Sequence, residues 1–363
     1  MNNVVLATGL ILIDAPASAL NNAGIERGRM AENKVIVKKI RIRGREEYPY
    51  VSGQAFKRWW RDSLHDNFNW KESPISREEK VAYTEANPVK YEEDDLFGYM
   101  LAPSKKEGKG LVYRRVAPLK CTPLISVFNN VITNDFGVFS RGPAEKEPVP
   151  FQQEFYSTIL KGAFSLMASE VGVFQRGISL DIPANADVEK IQEKDKKALE
   201  KSKEALSKKI SDMIRQAEER KATIDENCVK LKREERQERI KQALLALGLL
   251  DGGAKKSTYL TDVSPKLVIA AVLNIANHVF LDSLKTNEGK ITVNVDAIKE
   301  IIKDYGKNFL SPVFIGLRKG FLEDSHYEEL SKLKFDSDKP SVEFGTPKEM
   351  ITKLAEHTIR VCT

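Results

Sequence analysis

Residues Val4 to Ile13 are apolar on both alternating sets, with Val5, Ala7, Ile11 and Ile13 on one side and Leu6, Leu10 and Leu12 on the other. A strand with one wet face alternates apolar and polar residues, so this pattern requires cover on both faces and predicts a mid-sheet strand. Small residues after it (Ala15-Pro-Ala17) give the segment the look of a secretory leader, but no Lys or Arg precedes it and Asp14 ends it. The reading is therefore a buried first strand. No later segment is long and apolar enough to span a bilayer as a helix, so no membrane partner is expected.

A short helix follows in Tyr50-Val-Ser-Gly-Gln-Ala-Phe-Lys-Arg-Trp-Trp-Arg-Asp-Ser-Leu64, with Ser52 as its N-cap. At helical spacing Phe56, Trp60 and Leu64 share one face, while Gln54, Lys57, Arg58 and Arg61 share the other. Any core-packed helix can carry solvated cations outside. Here no Glu or Asp is read on the basic face, which favours an anionic partner such as a phosphate chain. Upstream, Val35 to Arg43 reads as a half-buried strand with Ile36, Ile40 and Ile42 on one face and Lys39, Arg41 and Arg43 on the other. A basic strand leading into a basic helix makes a candidate groove, with Asn22 and Arg29 in the polar loop between the strands.

The chain has 363 residues, a formal net charge of +6 and three cysteines. Such a length buries a full core without disulfides. The cysteines lie far apart and show no paired spacing with the four histidines, so neither a disulfide framework nor a metal site is expected, and a reducing cytoplasm fits. The surplus of positive charge permits nucleic-acid binding without requiring it.

Pro74, Pro88 and Pro103 interrupt residues 66–104, which read as a helical excursion from the sheet. Within it Glu92-Glu-Asp-Asp95 reads as a helix N-terminus favoured by the macrodipole rather than as a metal cluster. From Gly110 short apolar runs alternate with Pro, Asn and Gly, and Ser140 to Pro150 projects as a hairpin tip. Phe136, Phe139, Arg141 and Phe151 on that extension either pack within the hairpin or stack against bases. A β-rich stretch runs from Phe155 to Phe174, with Gly162 as a candidate bulge. Asp187 to Lys241 is dense in both signs of charge and reads as a solvated helical insertion broken near Thr223–Asn227. Leu267 to Leu281 then reads as strand, Asp296 to Tyr305 as helix and Pro312 to Leu317 as strand, opening into a loop where Arg318 and Lys319 stand between two glycines. The last element is a peripheral helix over Pro347 to Arg360. The order spells an α+β protein with a ferredoxin-like (RRM-like) βαββαβ core carrying insertions.

Ser52-Gly-Gln-Ala-Phe-Lys-Arg, Asp95-Leu-Phe-Gly-Tyr-Met100, Thr133-Asn-Asp-Phe-Gly-Val-Phe-Ser-Arg-Gly142 and Pro148-Val-Pro-Phe-Gln-Gln-Glu-Phe-Tyr156 resemble the Cas-seven backbone subunit of CRISPR Cascade, in its DevR/Cst-two, type I-B form within the RAMP superfamily. The resemblance implies a ferredoxin-like palm (1–183 and 255–363), helical fingers (66–110), a β-hairpin thumb (126–155) and a charged helical insertion (184–254). It further implies a subunit that polymerises as a helical filament along one guide RNA and holds its sugar-phosphate backbone whatever the sequence. Ser52, Gln54, Lys57 and Arg61 match the family's guide-holding positions, and Asn22 and Arg29 fall in its contributing loop. The implied partners are the crRNA guide, target DNA, further copies of the chain, the cap, large and small subunits, the guide-processing endonuclease and a recruited helicase-nuclease. Neither catalysis nor a cofactor is implied. Two alternatives remain: a metal-dependent endoribonuclease using Asp14 or Asp135, and a DNA-binding autoregulator, for which no helix-turn-helix pattern is present.

Overall fold

The computed structural model describes residues 4–26, 34–42, 44, 46–78, 81–101, 111–139, 149–175, 179–180, 193–226, 228–287, 289–333 and 340–362. The strands that position the site are β1 (Leu6–Ser18), β2 (Lys39–Ile42), β3 (Glu46–Val51), β4 (Leu124–Ser126), β5 (Thr133–Phe139), β6 (Val149–Met167), β7 (Leu267–Leu273), β8 (Val313–Leu317) and β9 (Val342–Gly345). The main helices are α1 (Gly53–Phe68), α2 (Glu92–Phe97), α3 (Glu193–Glu219), α4 (Arg233–Leu247), α5 (Val295–Tyr305) and α6 (Pro347–Val361), with short helices over Lys256–Tyr259 and Asp324–Ser331 besides.

One large mixed sheet runs in the order β9-β8-β7-β1-β6-β4-β3-β2. β1 is central and antiparallel to both neighbours, Leu10 standing opposite Ala163 on β6 and Ile269 on β7. Its two apolar sets separate as the pattern requires. Val5, Ala7, Ile11 and Ile13 enter the core beneath α1, α4 and α6, while Leu10 and Leu12 enter a second core with α5 and the hairpin of Leu284–Asn287 and Lys290–Val293. Gly9 is there because nothing larger fits: a Cβ would lie 2.6 Å from Ala270 Cβ and 2.7 Å from the carbonyl oxygen of Ile269.

Strands β7, β1, β6 and β4 are successively antiparallel, α1 lies between β1 and β4 in the chain, and α4 lies between β6 and β7. By its charge density α4 belongs to the expected insertion, and Asp296–Tyr305 is the expected second helix of the core. Instead Ile240, Ala243, Leu244, Ala246 and Leu247 of α4 are buried in the main core against α1 and α6. Two of its charges, Arg236 and Arg239, are buried as well and are held by backbone carbonyls and, for Arg239, by Asp95, partners that sequence spacing does not reveal. The separate part of the insertion is α3, which packs Leu206, Ile210, Met213 and Ala217 against Ala86, Val89, Tyr113, Phe174 and Val229.

Three further expectations change. The C-terminal helix is not peripheral, since Met350, Ile351, Leu354 and Ala355 of α6 are core residues. Gly162 marks no bulge: it pairs regularly with Ile11, and a Cβ there would meet Leu124 Cδ2 at 2.4 Å. The register of β1 and β6 shifts between Ala15 and Ser18. Residues 66–101 hold the two-stranded ladder Ser76–Glu78 with Val81–Tyr83, the short α2 and the strand Tyr99–Leu101, so this excursion is less helical than expected. No helix among the described residues is long and apolar enough to cross a membrane.

Candidate nucleic-acid interface

The N-terminus of α1 is held from two directions. Ser52 caps it, its hydroxyl accepting from Ala55 N at 3.3 Å, and the Ser52 N–H donates to Asn21 Oδ1 at 3.0 Å. The carbonyl of Asn21 also accepts from Lys38 N at 2.8 Å. These bonds bring the end of β1 against the start of the helix, and Asn22 next to it opens not the expected loop but a strand, Asn22–Glu26, paired with Lys34–Val37. The buried Asn22 Oδ1 has no partner among the described residues. Arg29 lies outside the described residues.

Phe56, Trp60 and Leu64 are fully buried as the helical spacing predicts, and Trp59 is buried beside them. Trp59 faces the loop after α4, where a Cβ on Gly252 would stand 2.2 Å from the indole. On the other face the expectation of uncompensated charge fails for two of three cations. Arg58 pairs with Asp62 at 2.7 Å and Glu72 at 3.7 Å. Arg61 pairs with buried Glu93 at 3.0 Å and its guanidinium lies 4.4 Å from the centroid of Phe97. Asp62 is four residues from Arg58 and could have been read; Glu93 arrives only through the tertiary fold. Beside Arg58 opens a cavity of about 480 Å³ in which the carboxylates of Asp62, Asp66, Glu72 and Asp251 outnumber the cations Arg58 and Lys256, a setting that disfavours phosphate. Gln54 is exposed, and Lys57 makes no ion pair among the described residues. Near Lys57, burial pushes the Cys121 thiol up to about 11, with the ammonium acting in the opposite direction.

The basic strand is neutralised too. It breaks at Lys38, with Lys34–Val37 running parallel to Gln152 and Gln153 of β6 and β2 pairing with β3. Lys34 and Lys39 meet the buried carboxylate of Glu154 at 3.1 Å and 3.4 Å, and Lys39 and Arg41 each meet Glu47 at 3.3 Å. Of the charges expected on an outer wall, Lys39 turns to Glu154 at the base of the hairpin while Arg41 pairs with Glu47 on β3. Arg43 lies outside the described residues.

That hairpin is formed by β5 and the first half of β6, from Thr133 opposite Phe155 to Phe139 opposite Val149. Its tip, including Arg141, lies outside the described residues. Phe136 is 55% exposed and Phe151 39%. They occupy opposite faces, because Phe136 pairs with Gln152 while Phe151 pairs with Gly137 and lays its ring over that glycine. At the hairpin base Gln153 donates to Asp135 Oδ2 and accepts from Lys255, and its amide also meets the Tyr259 hydroxyl at 3.0 Å. Asp14 pairs with Ile159, six residues along β6 from the partner of Asp135, about 20 Å by strand rise, so the two aspartates do not form one site. No metal-binding group of three His, Cys, Asp or Glu occurs among the described residues.

Arg318 and Lys319 are exposed just past β8. Gly316 serves packing, since a Cβ would lie 2.6 Å from Pro347 Cα, and Gly320 takes φ +80° in the turn. Register places Tyr50, Ile125, Lys161, Leu12, Leu267 and Leu317 in one row across the sheet. Arg318 thus stands five strands from the start of α1, about 24 Å, and the two predicted cationic pieces do not meet. The acidic run is a helix N-terminus as expected, yet it is buried: Asp95 pairs with Arg239 at 2.8 Å and with Arg115, and accepts from Gly172 N at 2.9 Å.

No curated protein matches the chain. Two solved structures are similar over its length. One, described as a "CRISPR RNA-guided surveillance complex", shares 12% identity at a TM-score of 0.48, covering 97% of this chain and 98% of the other. The second, described as a "CRISPR RNA-guided surveillance complex, pre-nicking", shares 11% identity at a TM-score of 0.50, covering 97% and 100%. The latter likeness is one of fold. Residues 13–294 match the model of the family described as "CRISPR-associated negative auto-regulator DevR/Csa2", and with most of its length accounted for by that match the chain belongs to the CRISPR-associated DevR/Csa2 family.

Proposed function

We propose that the chain is the guide-RNA-binding backbone subunit of a CRISPR surveillance complex of the Cascade kind, type I-B, working in the cytoplasm. In this reading β7, β1, β6 and β4 with α1 and α4 are a ferredoxin-like palm, and the β5–β6 hairpin is the thumb. Copies polymerise along one guide and hold its sugar-phosphate backbone through Ser52, Gln54 and Lys57, with Asn22 and Arg29 beside them and Arg318 and Lys319 farther along the sheet. Backbone contacts carry no sequence information, so base pairing between guide and target DNA supplies specificity. Phe136 and Arg141 on the hairpin contact the bases. Arg58 and Arg61 take a structural part, since carboxylates already hold them. The subunit is not an enzyme; it works with cap, large, small and guide-processing subunits, and a recruited helicase-nuclease does the cutting.

The observation that carries this reading is the pairing of a projecting hairpin that exposes Phe136 with a helix α1 whose Lys57 makes no ion pair among the described residues. The test is purification of the chain from cells carrying its guide. A multi-copy particle with RNA of uniform length, lost in Gln54→Ala with Lys57→Ala, is expected. A protein that purifies free of RNA and shows no affinity for guide-length RNA overturns the proposal.

A further inference from the structure

Strand register decides which side chains share the sheet face turned away from α1, α4 and α6. Val51, Leu124, Leu160 and Phe164 point into that core, so their neighbours point the other way. Tyr50 stands opposite Ile125, Ile125 opposite Lys161, and Lys120 opposite Ser165. On the next strand outward Tyr48 stands opposite Ile40 on the same face. Over β1, β7 and β8 this face is covered, and Leu12, Leu267 and Ile315 are fully buried there. Over β4, β3 and the outer side of β6 the cover thins: Tyr48, Tyr50, Ile125, Lys161 and Ser165 are half-buried and Lys120 is exposed, while Ala163, between Lys161 and Ser165, stays buried.

The open half therefore has an apolar and aromatic floor with two lysines standing on it. Unlike Lys34 and Lys39 nearby, which are neutralised by Glu154, Lys120 and Lys161 make no ion pair among the described residues. The carboxylate nearest by register, Asp14 opposite Ile159, makes no ion pair with Lys161. Lys120 and Lys161 are one strand and four residues apart, about 14 Å, and Tyr50 lies two strands from Lys161, about 10 Å. Cations with an aromatic face beside them on one surface bind single-stranded nucleic acid through phosphates and stacked bases.

We propose that this open half of the sheet is a second platform for single-stranded nucleic acid, with phosphates at Lys120 and Lys161 and a base against Tyr50. It is distinct from the α1 face on which the guide reading rests. A strand bound at both faces would pass around the edge formed by Leu119–Cys121, where Lys57 approaches Cys121 from the helix side.

The test uses the full chain with fluorescein-labelled oligo-uridine and oligo-thymidine, titrated at several salt concentrations. Lys120→Gln with Lys161→Gln is expected to weaken binding and to reduce the slope of log affinity against log salt by about 1.4, two phosphate contacts at about 0.7 each on a single strand. Tyr50→Leu is expected to weaken binding at least about fivefold with the slope unchanged. Loss on oligo-uridine alone identifies RNA as the occupant, and loss on oligo-thymidine alone identifies DNA. If Tyr50→Leu fails to fold, the lysine pair decides. Unchanged affinity and slope in that pair for both probes overturns the platform. Lys57→Ala run in parallel separates the two readings: if it alone weakens binding, the guide face stands and the platform falls.

Discussion

Arg239 and Asp95, 144 residues apart in sequence, meet at 2.8 Å with almost no exposure to solvent. The same guanidinium donates to the carbonyls of Pro88 and Val89, and the same carboxylate accepts from Arg115 and the Gly172 N–H. One ionic node therefore ties the core helix α4 to the acidic helix α2 and to the chain after β6. Removing one partner of such a pair leaves the other charge buried and uncompensated. Asp95→Ala is expected to lower unfolding stability by about 3–5 kcal/mol, measured by urea denaturation. A loss well under about 1 kcal/mol would show that water reaches the two arginines.

The basic face of α1 divides into binding and structural parts, and two substitutions separate them. Lys57→Ala is expected to weaken RNA binding equally for unrelated sequences and to reduce its salt slope, with the thermal midpoint unchanged. Arg61→Ala removes one partner of buried Glu93, leaving it His65 and the Ser73 N–H, and the contact with Phe97, so it is expected to lower the midpoint instead. Paired thermal melts and salt titrations check both. An Arg61→Ala variant of native stability with lost RNA affinity would return that residue to the guide face.

Burial at β1 makes a third expectation independent of function. Gly9→Ala forces a methyl against the Ile269 carbonyl oxygen, and backbone in a central strand cannot yield. At Gly162 the obstacle is Leu124 Cδ2, the end of a side chain that can rotate. Overpacking costs typically about 1–3 kcal/mol, and Gly9→Ala is expected at or above the upper end with Gly162→Ala well below it. Urea midpoints of the two variants, compared with the parent, decide the order.

His278 gives the fold a pH dependence. Thr8 Oγ1 donates to the Phe164 carbonyl at 2.8 Å, so His278 Nδ1, 2.7 Å away, carries the proton and donates to Thr8. Nε2 is left buried without a partner among the described residues. Burial lowers the imidazole from 6.5 to about 4. Between those values the unfolded chain holds the extra proton and the fold does not, so stability falls as pH drops through that window and is unaffected above it. His278→Gln is expected to flatten the change in urea midpoint between pH about 7 and pH about 5. An unaltered pH profile would show that the ring is already charged in the fold.

What the sequence makes legible is whatever depends on period and local chemistry. The two apolar sets of β1, the inward Phe56, Trp60 and Leu64, the Ser52 cap and the hairpin all follow from spacing of two or of three and four. Charge partners across the fold do not. Glu93 reaches Arg61 and Glu154 reaches Lys39 only after the sheet is assembled, so a face that reads as free cations becomes a set of ion pairs. Helix α4 misleads for the same reason, because its arginines look solvated until their carbonyl partners are in place. The platform on the open sheet was beyond reach as well, since Tyr50, Lys161 and Lys120 become neighbours through register alone.

Phe136 is the side chain for which stability and binding are expected to part most cleanly. It stands on β5 with its ring 55% exposed, opposite Gln152, and it enters neither main core. Surface substitutions away from caps and ion pairs change stability by no more than about 0.5 kcal/mol, so Phe136→Ser is expected to melt with the parent. A base stacked on an aromatic ring contributes about 1–3 kcal/mol, so the same variant is expected to lose about fivefold or more in affinity for guide-length RNA. Phe151→Ser is the contrast, because its ring covers Gly137 and its loss bares the hairpin backbone. It is expected to destabilise the hairpin, visible as faster amide exchange across β5. Equal RNA affinity for Phe136→Ser and the parent would remove that ring from the binding surface and leave the hairpin only its backbone and Arg141 to offer.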